Sequence, residues 1–151
     1  MSTTTILCTD GSELALQALS AGLSLLRPSR RTVVVTVVDR VDEMDVTGTG
    51  FAGGVMSPEE FDERRRQQQL GAEEIVDRAV TTLGVDDAET RVLHGGAGPA
   101  LCALATELDA KVIVMGSRGR GGIKRALLGS VSDHVVRNAP CTVVITRADS
   151  T

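Results

Sequence analysis

Five short runs of β-branched and apolar residues constrain this chain more than any other feature. They are TILC (Thr5 to Cys8), TVVVTVV (Thr32 to Val38), ETRVLH (Glu89 to His94), KVIVM (Lys111 to Met115) and TVVIT (Thr142 to Thr146). Most lack the alternation of a strand with one wet face, so both of their faces must be covered. Stretches with helical spacing separate them. From Ser12 to Leu26, Leu16, Leu19, Leu23 and Leu26 recur at three- and four-residue steps. Ser57-Pro58-Glu59-Glu60 reads as an N-cap, a first-turn proline and acids that complement the helix dipole. That helix should run to about Leu83 and stop before Gly84. Pro99 to Leu108 makes a shorter third helix, and Ser130 to Arg137 opens a fourth. Strand and helix alternate throughout, which predicts an α/β fold: an open, mainly parallel sheet with right-handed crossovers and helices on both faces. ETRVLH alternates most and fits an edge.

At 151 residues the chain has the size of one domain, 1–151, able to bury its core without disulfides or metal. Its formal charge of −4, with two Phe and no Trp or Tyr, argues against a nucleic-acid binder, which needs a basic face or rings for stacking. Cys8, Cys102 and Cys141 stand singly among apolar neighbours and read as reduced, small hydrophobes. The start MSTTTILCTD lacks the pattern of a signal peptide, and no apolar run approaches the ~20 residues of a membrane span. A soluble, cytoplasmic protein is expected.

Residues 45–56, DVTGTGFAGGVM, read as a flexible Gly-rich loop. Gly48, Gly50 and Gly53 match G-x-G-x-x-G, but the dinucleotide fingerprint needs a strand directly before it and a helix opening within it. Here the strand ends near Val38 and the helix waits until Pro58. The run Arg64-Arg65-Arg66 lies among Glu59, Glu60, Asp62 and Glu63 and reads as a solvated helix face with internal ion pairs.

Between the fourth and fifth strands, Gly116 to Ser130 reads GSRGRGGIKRALLGS, with five glycines, four cations and no carboxylate. Glycines let successive backbone N–H groups converge on one anion. Gly129-Ser130 then supplies a helix N-terminus, whose free N–H groups and dipole favour phosphate, and Ser130 and Ser132 add hydroxyls. The combination suits a polyphosphate, although an idle surface turn with an ordinary N-cap has a similar composition. It is not a P-loop, because neither Lys111 nor Lys124 stands in Gly-Lys-Ser/Thr. At the other wall of the expected crevice the first strand ends Cys8-Thr9-Asp10-Gly11-Ser12. Ser12 reads as a helix cap, whereas Asp10 is placed to accept hydrogen bonds from ribose hydroxyls.

Together these residues resemble the universal stress protein family. Its nucleotide signature G-x2-G-x9-G-[ST] is matched by Gly116, Gly119, Gly129 and Ser130; TTTILCTDGSELALQAL resembles its first strand and helix, and HVVRNAPCTVVITR its last. The resemblance covers nearly the whole chain and implies a five-stranded, nucleotide-binding Rossmann-like sheet in the order 3-2-1-4-5. It implies ATP as ligand, with the base read by main chain around Val38 and with Thr9 and Asp10 at adenine and ribose. Phosphates would lie on Gly116, Arg118, Gly119, Gly129, Ser130, Val131 and Ser132, with Mg²⁺ held mainly by phosphate oxygens. It further implies a homodimer through Cys141 to Arg147, which would cover an exposed strand edge. Two departures stand out: Cys8 replaces the more usual Ala, Pro, Gly or Val, and the family's Gly-x-Pro reads Gly95-Gly96-Ala97-Gly98-Pro99, so a loop one residue longer is expected.

No catalytic constellation is legible. His94 and His134 lack a carboxylate partner in sequence and read as surface or packing residues, and Asp133 as a complement to the helix dipole. The expected function is an ATP-binding stress-response switch with slow or no hydrolysis and no dedicated metal site. Its downstream protein partner is unknown. The alternative is a signalling module for another adenine nucleotide, such as cyclic AMP, or for none.

Overall fold

The computed structural model describes residues 3–40, 56–117 and 128–148. Within them the chain runs β1 (Thr4–Cys8), α1 (Glu13–Ser24), β2 (Arg31–Val38), α2 (Pro58–Leu83), β3 (Glu89–His94), α3 (Ala97–Glu107), β4 (Val112–Gly116), α4 (Ser130–Asn138) and β5 (Thr142–Thr146). All four strand pairings are parallel, and the order is β3-β2-β1-β4-β5. The Gly-rich segment 45–56, save Met56, falls outside the described residues, as do Arg118 and Gly119.

Successive side chains on the central strands feed two opposite cores. Ile6, Val33, Val35, Ile113 and Met115 meet Leu101, Leu104 and Ala105 of α3 and Val135 of α4. Leu7, Val34 and Val114 meet Leu16 and Leu19 of α1 and Val76 and Ala79 of α2. Removing each Val, Leu, Ile or Met side chain among them from water contributes about 1.5–3 kcal/mol. This two-sided burial is why the runs lack alternation.

Helix ends follow the capping residues. Ser57 and Glu60 form a capping box with Pro58 inside it, and α2 ends at Gly84 in the left-handed conformation at φ 65°. The third helix starts at Ala97, two residues before the expected Pro99. Proline is tolerated there because the first-turn N–H groups have no intrahelical acceptor. The first buried residue of α2 is Ala72, so its opening turns are solvated. Arg66 pairs with Glu63 at 2.7 Å, and the Arg65 guanidinium lies 5.9 Å from the centre of the Phe61 ring. The arginine run is thus the solvated face its neighbours suggested.

The edge strand β3 keeps the most polar pattern. Glu89 accepts from Arg31 of β2 at 2.6 Å and from Arg91 at 2.5 Å.

Candidate functional site

The sheet order reverses between β1 and β4. From Cys8 the chain turns to α1 on one face, whereas the chain after β4 returns through α4 on the other. Cys8 and Met115 are register partners, so the turn after β1 and the end of β4 flank one crevice at the carboxyl ends of adjacent strands.

The turn Thr9–Ser12 is held from within and from outside. Thr9 is buried; its N–H reaches the Val35 carbonyl at 2.9 Å, and its Oγ1 accepts the Gly11 N–H at 3.0 Å. Asp10 Oδ1 accepts the Ser12 N–H at 2.9 Å, and Ser12 Oγ caps α1 by accepting from Ala15 at 3.2 Å. Gly11 adopts φ +80°, and a Cβ there would stand 2.9 Å from Ile75 Cγ1. Its carbonyl accepts a hydrogen bond from the Arg78 guanidinium of α2. Asp10 thus sits on a rigid turn, half-buried, with a carboxylate that can accept more than one hydrogen bond.

Main-chain direction at the end of β2 separates two neighbours. In a parallel ladder, one residue's N–H and C=O face one neighbouring strand and the next residue's face the other. Val35 bonds toward β1 through Thr9, and the Val38 carbonyl accepts the Gly95 N–H at 3.0 Å on the β3 side. Val38 therefore directs its polar groups away from the crevice, and alternation turns those of Val37 toward the space beyond the end of β1. Of the main chain around Val38, it is that of Val37 that turns toward this wall.

The second wall is the start of α4. Gly129, the N-cap, makes no side-chain capping bond, in contrast to Ser12 and Ser57. Its N–H donates to the Ser117 carbonyl at 2.7 Å, and its carbonyl accepts from Asp133 at 2.9 Å. The N–H groups of Ser130, Val131 and Ser132 belong to the helix's first turn, where no intrahelical acceptor exists among the described residues. Ser130 is exposed. Ser132 is buried, and its hydroxyl lies 3.0 Å from both the Ser117 and Gly129 carbonyls, so it is directed inward. Gly116 ends β4 beside this turn.

Two of the titratable groups nearby, His134 and Asp133, have structural engagements. Gly98 of α3 lies under His134, 2.6 Å from Cδ2 to where a Cβ would be, which makes His134 a packing residue. Asp133 pairs with Arg137 at 3.1 Å, and His94 is exposed at the end of β3. Burial, and secondarily the charge of Asp10, pushes the Cys8 thiol up to about 12. Among the described residues no group of three or more His, Cys, Asp or Glu could hold a metal ion, and no helix is long and apolar enough to cross a membrane.

Comparison with known proteins bears on the same elements. A model of the universal stress protein family matches residues 1–147. Universal stress protein YxiE of Bacillus subtilis (strain 168) is 32% identical over 141 residues, covering 91% of this chain and 94% of that protein. Among solved structures, hypothetical protein MJ0577 superposes with a TM-score of 0.72 at 17% identity, covering 100% of this chain and 99% of the other. A universal stress protein in complex with cAMP superposes with a TM-score of 0.59 at 24% identity, covering 97% and 98%.

Proposed function

Because the chain belongs to the universal stress protein family, we propose that it binds ATP at the β1–β4 switch point and acts as a nucleotide-dependent switch in a stress response. The observation that carries the reading is the start of α4. A helix begins there on a glycine with no side-chain cap, and its first-turn N–H groups have no intrahelical acceptor. An exposed helix N-terminus is suited to phosphate by its donors and its dipole. Across the crevice a carboxylate, Asp10, would repel phosphate but accept hydrogen bonds from ribose hydroxyls. The N–H and C=O of Val37 suit the edge of a base.

In this reading Gly116, Arg118, Gly119, Gly129, Ser130 and the main chain of Val131 and Ser132 take the phosphates. Thr9 and Asp10 take the nucleoside, with Val37 rather than Val38 at the base. Mg²⁺ would be held mainly by phosphate oxygens and water. Turnover is slow or absent, since His134 is packed against Gly98 and Asp133 is held in an ion pair. A second copy joins through the edge strand β5, and the switch works in the cytoplasm. A second reading, in which cyclic AMP is the preferred ligand, is favoured by the relative solved with cAMP.

Calorimetric titration of the ligand-stripped protein with ATP, AMP and cyclic AMP, with and without Mg²⁺, tests both. Saturable one-site binding, tighter for ATP than for AMP, is expected. Preference for cyclic AMP would establish the second reading, and absence of all binding would overturn both.

A further inference from the structure

Serine side chains at the helix starts of this molecule do opposite things. At α1 and α2 the N-cap hydroxyl accepts a hydrogen bond from a helix N–H and so covers a donor. At α4 the N-cap is Gly129, and the hydroxyl sits three residues later, on Ser132, directed at carbonyls. It lies 3.0 Å from the Ser117 carbonyl and 3.0 Å from that of Gly129, with only 2% of the residue exposed. The Ser117 carbonyl also receives the Gly129 N–H at 2.7 Å, and the Ser117 N–H reaches the Thr146 carbonyl of β5 at 2.9 Å. One buried hydroxyl therefore fastens the end of β4 to the start of α4, and both are tied to β5. The helix start is fixed, and among the described residues no side chain caps its N–H groups.

Resting on the nucleotide reading above, we infer that Ser132 is a positioning residue for the phosphates. Its hydroxyl touches no ligand. It sets where the N–H groups of Ser130, Val131 and Ser132 stand relative to the Asp10 turn, so that their geometry exists before the anion arrives. Without the hydroxyl those donors remain, but the first turn of α4 is held by fewer bonds and must be ordered by the ligand at the expense of affinity.

Ser132→Ala separates this role from a general structural one. No buried carbonyl is orphaned by it, because Ser117 keeps the Gly129 N–H and Gly129 keeps the Asp133 N–H. ATP affinity should fall about tenfold, the effect of losing one hydrogen bond. Adenosine, which has no phosphate, should bind within about twofold of the unaltered protein. The Gly129 amide, followed by hydrogen exchange without nucleotide, should lose protection while the thermal midpoint stays nearly constant. Equal losses for ATP and adenosine would overturn the inference, as would unchanged ATP affinity with a loosened Gly129 amide. A variant that does not fold would also overturn it, by making the hydroxyl a requirement of the fold. If the unaltered protein binds neither ATP nor adenosine, the nucleotide reading itself fails, and the Gly129 exchange rate still reports whether the fastening exists.

Discussion

The imidazole of His134 lies directly on the backbone of Gly98, joining α4 to α3 at a point where neither helix has room for another atom. A Cβ on Gly98 would fall 2.6 Å from Cδ2, 2.7 Å from Cγ and 2.9 Å from Cβ of His134. Contact with the histidine Cβ means that rotating the ring cannot relieve the crowding.

Gly98→Ala should therefore destabilise the protein by about 1–3 kcal/mol, as overpacking in a close-packed interior does. Urea denaturation measures it. Combining it with His134→Ala should recover part of the loss, and a strictly additive double variant would show that the two residues do not meet.

Gly11→Ala should act on both stability and ligand binding. The position requires φ +80°, and the new methyl would press on Ile75. A cost of about 1–2 kcal/mol follows from the backbone conformation alone. The Asp10 turn would shift with it, so ATP and adenosine should weaken together in calorimetry. This contrasts with Ser132→Ala, where only ATP should suffer.

Glu89 gives the acid limb of stability a specific contributor. Hydrogen bonds from Arg31 and then Arg91 hold its carboxyl below the usual value of 4.5. A depressed folded-state pKa adds stability that is present above the unfolded value and lost as pH falls through the folded one. Glu89→Gln should thus flatten the decline of stability below about pH 4.5. At pH 7 the loss should stay within about 1 kcal/mol, because the side chain is 35% exposed. Thermal midpoints from pH 3 to 7 decide it, and parallel curves for both proteins would remove Glu89 from the account.

The three thiols should resist alkylation, with Cys8 slowest. Burial raises all three, that of Cys8 to about 12, and the thiolate is the reacting form. Iodoacetamide labelling of the folded protein at pH 8, read by mass spectrometry, should modify Cys102 and Cys141 ahead of Cys8. Rapid labelling of Cys8 would contradict the buried thiol.

Strand positions and helix caps were legible because each has a local cause, whereas the sheet order was legible only through the family resemblance. Unalternating β-branched runs belong to strands covered on both faces, and Ser57-Pro58-Glu59-Glu60 contains its own capping bonds. The two walls of the crevice were legible in the same way, from Asp10 at the end of one strand and Gly129-Ser130 at the start of a helix. What depends on register was not. Whether Val37 or Val38 turns its main chain toward the crevice is decided by where β1 stops against β2, and no local signal encodes that parity. Ser132 read as an outward donor because a hydroxyl in a first turn usually is one. Its inward direction follows from the Ser117 carbonyl, fifteen positions earlier. Arg78 gave no sign of its bond to Gly11 across sixty-seven positions, since an arginine late in a helix reads as solvated.

The hydrogen bond from Gly129 to Ser117 has a consequence for how such a molecule can be altered. Ser117 and Gly129, with eleven positions between them in sequence, are bonded directly to each other. Loop-closure cost grows only slowly with length, so a segment of another length or composition could be exchanged there without moving β4, α4 or β5. Ser117 and Gly129 thus form a closed seat in the fold, whatever sequence joins them. A descendant or a designer could change the joining sequence while inheriting the rest of the molecule unchanged.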